Sequence, residues 1–377
     1  MVNPRALTNP GRLKVFLVAG EASGDAYGAQ LLKDLNVLCL DKGLELDAVG
    51  WGGDLMAAEG LRMLNHINEV NFMGFWEVVQ NLRTILQNLQ LAKNQIVREE
   101  PDAVITIDFP GFNMRLAKSL RELNHPAMRI QWVAPQVWAW KPKRAKKLAR
   151  DFHAVAPILP FENSILQRSG VMTWNVGHPL LDLIPEEIHR ERRPVALALL
   201  PGSRKQELKH HLPILVKAAV EGAARGMWSM NDIVLAGAPG RALGDYELAL
   251  QAGIDVRFGQ THHILKQAQR AWVASGTATL EAGLLDTPHV LVYKTSWLTY
   301  QLAKRFARIQ HIGLPNILVN QAVVPELIQD GLSADALLAT TNSDLDHQVQ
   351  RFEELRAILG GRGATKRLAH HILACFE

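Results

Sequence analysis

The sequence predicts two successive α/β domains, each a doubly wound parallel sheet of Rossmann-like type, facing one another across a cleft. Three observations predict it. The chain has 377 residues, beyond the size at which one hydrophobic core stops growing, so two domains of under about 200 residues are expected. Short apolar runs alternate with longer stretches of helical period, the pattern of a parallel sheet covered on both faces. That alternation breaks once, between 179 and 194, and then restarts.

Taken in order, residues 14–19 are a first apolar run ending on Gly20, with a helix expected from about Ser23. Residues 103–107 form the next strand and lead to a helix from about Phe112. Residues 128–133 follow, then a basic stretch, then a strand at 153–156 and a helix beginning near Phe161. Pro185, a pair of glutamates and Arg190 to Arg193 interrupt the pattern and read as a linker. Strands are expected again at 195–200, 233–236, 254–257, 271–274 and 290–293. Residues 333–377 read as mostly helical, with Asp344 as an N-cap and Gly360-Gly361 separating two helices. The expected domains are 1–185 and 186–340, with 341–377 as helices packing across both.

Apolar residues make up 48% and charged residues 21%, ordinary globular usage that argues against disorder or a fibrous repeat. Cys39 and Cys375 lie within or beside predicted helices without a second thiol at metal-binding spacing, and read as buried small residues. The run at 15–19 is too short for a signal-peptide core, and no apolar run reaches the roughly 18 residues of a membrane-spanning helix. A cytoplasmic protein is expected. Net charge is only +4, but six of the ten residues from 141 to 150 are Lys or Arg, including Lys143 and Arg144, which suits an anionic partner.

Ligands of open α/β sheets bind beyond the carboxyl ends of the strands. The first exit, Gly20-Glu21-Ala22-Ser23-Gly24-Asp25, is a small-residue turn entering a helix. It either lets backbone amides approach a ligand or is a tight turn capped by Ser23 or Asp25. Gly50-Trp51-Gly52 fails as a dinucleotide fingerprint, so a nicotinamide cofactor is not expected. At the next exit an apolar strand ends on Asp108, before Pro110-Gly111. A lone carboxylate there can accept a proton from a hydroxyl nucleophile or serve an Asx-type turn or cap. The third exit, with Gln136, Trp138 and Trp140, sets aromatic faces beside cations, which suits sugar rings and phosphates or a packed corner.

In the second half, Gly202-Ser203-Arg204 follows a strand and can hold a diphosphate with backbone amides and a guanidinium. Ser275-Gly276-Thr277 opens another helix, with Glu281 a turn later either for ribose hydroxyls or for a capping box. Two such loops in one domain point to a nucleotide. No metal is expected. The pairs His210-His211, His262-His263 and His370-His371 lack companion ligands and read as solvated, and Asp344-Leu345-Asp346 reads as helix capping. Residues 71–91 carry Phe72, Phe75, Trp76, Val79, Leu82, Leu86 and Leu89 at helical spacing, and Met73 and Val78 widen that apolar surface. Such a helix faces the core or enters a lipid surface beside the basic run.

Taken together these segments resemble the lipid A disaccharide synthase family. The matching strings are 18–25, Met73-Gly74-Phe75, Ile107-Asp108 with Pro110-Gly111-Phe112-Asn113, Val137-Trp138-Ala139-Trp140, Val176-Gly177-His178-Pro179, 199–204, 274–281 and Leu314-Pro315-Asn316, in order along the chain. The resemblance implies a GT-B glycosyltransferase with an acceptor-binding, membrane-associating first domain and a UDP-sugar-binding second one. It implies inverting transfer of 2,3-diacylglucosamine from its UDP derivative to 2,3-diacylglucosamine 1-phosphate, giving a β-1,6 disaccharide and UDP. Asp108 is then the general base, with Arg204, Glu281 and Asn316 around the UDP, alongside Gly202, Ser203, Ser275, Gly276 and Thr277. Glu21, Ser23, Gly24, Asp25, Gln136 and Trp138 line the acceptor side, and Met73, Phe75, Trp76, Val79, Lys143 and Arg144 meet the inner face of the cytoplasmic membrane.

His178 matches a recurring position without an assigned role, and the oligomeric state, a homodimer included, is left open. Phe109 and Gly111 leave Asp108 the only carboxylate of its segment, where some relatives carry a second acid. Gln136 stands where part of the family has a small polar residue. The competing readings are another UDP-sugar enzyme on this fold, such as an epimerase or a transferase with a different acceptor, and an inactive membrane-surface binding protein. A nucleic-acid partner is not expected, because the basic run carries no recognition motif.

Overall fold

The first sheet is built from β1 (Arg12–Ala19), β2 (Glu45–Gly52), β3 (Arg62–His66), β4 (Ala103–Ile107), β5 (Met128–Trp132) and β6 (Ala154–Ala156), all parallel, in the order β3-β2-β1-β4-β5-β6. The second takes β7 (Val195–Leu200), β8 (Ile233–Gly237), β9 (Asp255–Phe258), β10 (Ala268–Ala274), β11 (His289–Tyr293) and β12 (Glu326–Ile328) in the order β12-β11-β10-β7-β8-β9. Each is the doubly wound order, with its switch point between the first and fourth strands of the sheet. This computed structural model describes residues 5–70, 82–139, 143–184, 193–297, 300–301, 310–341 and 347–376.

Register decides what meets at the switch points. Ala19 lies beside Ile107, so Gly20 and Asp108 leave the first sheet as neighbours. Leu200 lies beside Val273, so the turn at Gly202 and that at Ser275 leave the second sheet side by side. The central strands are nearly continuous apolar runs because helices cover both faces. In the first unit Phe16, Val18, Val104, Phe112 and Leu116 share a core with Ala92 and Ile96; in the second, Leu197, Leu199, Leu215, Tyr246 and Trp272 do so.

β2, β3 and β12 were not among the expected strands. β2 opens on Glu45 and Asp47 and closes on Gly50-Trp51-Gly52, a string that reads as a turn. In the fold Gly50 (φ +146°) instead permits close approach to β1, since a Cβ there would lie 2.0 Å from the Leu17 carbonyl oxygen. Within the interrupted stretch a short helix, Leu180–Leu183, is present, and residues 185–192 lie outside the described residues. Both cysteines are buried and free.

The chain divides into Met1–Asp182 with Gly361–Glu377, and Leu183–Gly360. The segment 341–377, expected as one group of helices, is therefore shared. The helix His347–Leu359 belongs to the second unit, where Gln348 bonds both the amide (2.9 Å) and the carbonyl (3.1 Å) of His289. The helix Ala364–Leu373 returns to the first, where the Asp182 carboxylate accepts from the amides of Gly363 and Thr365. Asp344 and Asp346 lie outside the described residues.

Burial keeps several histidines neutral. His178 and His289 are pushed down to about 3 and about 4 by burial, and His153 to about 4 by burial with help from Arg129 and Arg5. Unfolding lets each take up a proton below its ordinary 6.5. Glu162 acts in the opposite sense, because burial raises it to about 7 and the folded chain holds its extra proton. Between pH 6.5 and 4.5 the histidines outweigh it, so stability falls on acidification, by about 1.4 kcal/mol per pH unit for each net proton. The urea midpoint should be clearly lower at pH 5 than at pH 7; an unchanged midpoint would show that these histidines are not held neutral.

Candidate active site

At the first switch point the backbone of β4 turns sharply. Asp108 and Phe109 have φ of +48° and +47°, and Val133, just past β5, has +63°. Left-handed φ is uncommon in residues other than glycine and needs support from the surroundings. Gln131, fully buried, provides it: its Nε2 donates to the carbonyls of Asp108, Trp132 and Val133, each at 3.0 Å, and its Oε1 accepts from Thr106 Oγ1 at 2.7 Å. Asn113 Nδ2 adds a bond to the Asp108 carbonyl at 2.7 Å, and the Asp108 amide donates to Trp132 at 2.9 Å. The half-buried Asp108 side chain is thus carried on a fixed backbone. Phe109 folds over Gly20, where any Cβ would come within 2.7 Å of its ring.

The neighbouring turn is only partly open to a ligand. Gly24 packs the helix Ala22–Asp41 onto Ala19 and Ile107, while Glu21 and Ser23 are half-buried. Asp25 is committed elsewhere. Its buried carboxylate accepts from the amides of Gly53 (2.8 Å), Met56 (3.0 Å) and Leu55 (3.2 Å), capping the helix Asp54–Ala58 after β2. This corrects its expected place on the acceptor side: an acid that serves three buried amides is part of the scaffold. His178 is likewise buried, with Nδ1 accepting from the Leu180 amide at 3.2 Å, a helix-start role.

At the next two exits Gln136 is exposed and Trp138 half-buried. Trp138 meets Phe161 edge to face at 5.0 Å and donates to Glu162 Oε1 at 2.9 Å. The helix Lys143–Asp151 buries Ala145, Leu148 and Asp151 and turns Lys143, Lys146, Lys147 and Arg150 to solvent; Arg144 is half-buried, and burial, with Arg115 nearby, lowers its pKa. Met73, Phe75, Trp76, Val79 and Trp140 lie outside the described residues. In the described helix Leu82–Glu99, the inward stripe is Ile85, Leu89, Ala92 and Ile96, whereas Leu86, expected on the apolar stripe, is 53% exposed.

In the second unit Gly202 (φ +110°) turns the chain into the helix Lys205–Ala224, but Glu207 occupies that turn. Its Oε2 accepts from the Ser203 amide at 2.9 Å and the Arg204 amide at 3.2 Å, and its Oε1 pairs with Arg204 Nη1 at 3.3 Å. The backbone amides expected to cradle a diphosphate therefore already serve an internal carboxylate. Arg204 remains half exposed. At the adjacent exit Gly276 (φ +147°) is the N-cap of the helix Thr277–Leu284 and offers its first-turn amides no side chain. Ser275 is held by its amide on Val292 at 3.0 Å, and Glu281 pairs with His262 at 3.3 Å rather than closing a capping box.

Two residues read differently in space than in sequence. His211, expected to be solvated, is fully buried. Its Nε2 accepts from the Lys294 amide at 2.9 Å, which leaves Nδ1 as the donor to the Pro201 carbonyl at 2.8 Å and ties the exit of β7 to that of β11. Asn316, expected around a nucleotide, is buried; Nδ2 donates to the Val324 carbonyl and to Glu326 Oε1, each at 2.8 Å, and Oδ1 accepts from the Val324 amide at 2.8 Å. Glu326 also caps the helix Leu314–Val319 through the amides of Ile312 and Gly313. Asn316 is then a scaffold residue, and Asn316→Ala should cost about 2–4 kcal/mol in thermal or urea unfolding. A normally stable variant would return Asn316 to the ligand.

A family model described as lipid-A-disaccharide synthetase matches residues 15–355. Over 376 residues the chain is 35% identical to the lipid-A-disaccharide synthase of Anaeromyxobacter sp. (strain K), covering 96% of this chain and 97% of that one. The figures for the enzyme of the same name from Pseudomonas putida (strain GB-1) are 35% over 379 residues, 97% and 99%.

The chain belongs to the lipid-A-disaccharide synthase family.

Membership in the lipid-A-disaccharide synthase family makes the protein a glycosyltransferase acting on a UDP-sugar and a lipid-linked acceptor. Solved structures of similar fold include a putative UDP-N-acetylglucosamine 2-epimerase from Listeria monocytogenes (TM-score 0.61, 12% identity, 97% of each chain). The glycotransferase of kitacinnamycin is another (TM-score 0.58, 14%, 98% of this chain and 100% of that one). These likenesses speak to the GT-B architecture alone. No described helix is long and apolar enough to cross a membrane.

Sequence reasoning named the loops of this synthase-family chain at the strand exits and around Asn316 but not the bracing roles of the side chains that hold them: Gln131, Glu162, Glu207, His211 and Glu326. Only Glu207 had a local signal, a carboxylate three residues after the helix-start Arg204. The others act across elements distant in sequence.

Proposed function

We propose that this synthase-family enzyme transfers 2,3-diacylglucosamine from its UDP derivative to 2,3-diacylglucosamine 1-phosphate by a single inverting displacement, releasing UDP and forming a β-1,6 linkage. Asp108 accepts the proton of the acceptor 6-hydroxyl as that oxygen attacks the anomeric carbon from the face opposite the diphosphate. The departing charge passes to the Arg204 guanidinium and to the open helix start at Ser275-Gly276-Thr277, so that no metal is required. Glu281 is the candidate for the ribose hydroxyls. The observation that carries this reading is the position of Asp108: half-buried, on a backbone fixed by Gln131 and Asn113, at the switch point of the first sheet.

We further propose that the enzyme works at the inner face of the cytoplasmic membrane, with the exposed cations of the helix Lys143–Asp151 toward anionic lipid. Both substrates carry acyl chains and reside there, and each surface cation adds roughly 1 kcal/mol of attraction on an anionic leaflet. The test is UDP release from the UDP-diacylglucosamine donor in detergent with EDTA, with and without acceptor. Release that depends on acceptor and survives chelation supports the reading. Release without acceptor, or turnover of the UDP-sugar alone, would favour the epimerase alternative, and abolition by EDTA would remove the metal-free step.

A further inference from the structure

Outside the loops just assigned, the first unit contains a buried carboxyl that the proposed reaction does not use. Glu162 opens the helix Glu162–Gln167 after β6 and is 2% exposed. Its Oε1 accepts from Trp138 Nε1 at 2.9 Å and its Oε2 from the Leu159 amide at 3.2 Å. A carboxyl sunk this far is kept for the hydrogen bonds it makes, because burying it unpaired is costly. The bond to the indole spans two neighbouring strand exits: Trp138 stands after β5 and Glu162 after β6, while Asp108 stands after β4, the strand on the other side of β5. Phe161, the residue before Glu162, braces the same indole edge to face. Trp138 is thereby fixed in position while part of it stays open to solvent.

We propose that Glu162 is a positioning residue for the acceptor sugar: by holding the Trp138 indole through its N–H, it sets an aromatic wall at the exits of β5 and β6, beside the exit that carries Asp108. This rests on the reading of Asp108 as the base and of the first unit as the acceptor side. An aromatic face suits the apolar face of a pyranose ring and contributes only if its orientation is fixed before the ligand arrives. Glu162 also responds to pH within the working range. Burial raises its carboxyl to about 7, opposed by the bonds from Trp138 and the loop amides, while the charge of Asp108 raises it further. The indole bond and the electrostatics around Asp108 therefore change together near neutrality.

The experiment is steady-state kinetics of full-length wild type, Glu162→Gln, Trp138→Phe, the double variant and Asp108→Asn, with KM for donor and acceptor measured separately. Glu162→Gln should raise the acceptor KM about tenfold or more and leave the donor KM within about twofold. The double variant should be no worse than Trp138→Phe, because both substitutions remove one interaction. In kcat/KM for the acceptor, an inflection near pH 7 should be present in wild type and absent from Glu162→Gln. An unchanged acceptor KM with an unchanged pH profile, or additive effects in the double variant, overturns the proposal. If Glu162→Gln fails to fold, Trp138→Phe still decides: removing the indole donor must move the inflection upward, and an unmoved inflection overturns the link. Asp108→Asn separates the two levels, since a fully active Asp108→Asn enzyme brings down the reading beneath, whereas an inactive one beside an unaffected Glu162→Gln removes only the role of Glu162.

Discussion

Asp108→Asn should lower kcat by about 10²- to 10⁴-fold, the usual contribution of a positioned general base, while leaving folding and both KM values nearly unchanged. The backbone at position 108 is held by its neighbours: the amide donates to Trp132 and the carbonyl accepts from Gln131 and Asn113. Asparagine tolerates the left-handed φ of +48° well, so this substitution isolates the carboxylate. Alanine there would mix lost chemistry with backbone strain. Activity within about threefold of wild type would exclude Asp108 as the base; a kcat loss accompanied by a lowered unfolding midpoint would assign it a structural part instead.

Arg204→Ala should reduce kcat/KM for the donor by about 10²- to 10³-fold, the scale of losing one charge-stabilising donor at a developing anion. Stability should change by less than about 1 kcal/mol, because the Arg204–Glu207 pair is partly exposed and such pairs contribute little. Arg204→Lys should recover only part of the loss, since an ammonium keeps the charge but not the planar fork. The position of Glu207 sharpens this expectation. With the Ser203 and Arg204 amides already serving its carboxylate, the proposed contact of that loop with a diphosphate falls to the Arg204 guanidinium, which is itself paired with Glu207. Wild-type donor kinetics in Arg204→Ala would move the leaving-group site wholly to the exit of β10.

Much of this architecture is legible in the amino-acid order because buried parallel strands are written as continuous apolar runs. β4 and β7 appear in the sequence with the ends they have in space, and β1, β5, β6, β8, β9, β10 and β11 within a few residues. The three strands that escaped are those in which charge or glycine breaks the run. β2 contains Glu45, Asp47 and three-dimensional crowding at Gly50; β3 is only half-buried; β12 has three residues and begins with Glu326, whose carboxylate caps a helix. The switch-point loops were legible for a related reason: small residues and a carboxylate immediately after an apolar run have few structural explanations.

What a side chain does across the fold was much less legible. Asp25 and Asn316 have residue types suited to ligands, yet their polar atoms serve the amides and carbonyls of loops 28–31 and 8–10 residues away. His211 looked like half of a polar pair, but the rotation of the helix between adjacent residues turns it inward against Pro201 and Lys294 and leaves its neighbour His210 half-buried. Glu162 gave no signal beyond its place in a first helical turn. Its partner Trp138 is 24 residues earlier in the chain, and only the adjacency of β5 and β6 brings them together.

The central claim is a single inverting displacement onto a lipid-linked acceptor, and the most direct test is the structure of the product. Donor labelled with carbon-13 at the anomeric position, incubated with unlabelled diacylglucosamine 1-phosphate, should give one labelled disaccharide. Its anomeric carbon should show the β configuration and a through-bond correlation to position 6 of the acceptor. An α-linked product would contradict displacement assisted by Asp108 alone and demand a second nucleophile, while label recovered only in an epimerised or hydrolysed UDP-sugar would contradict the transferase reaction itself.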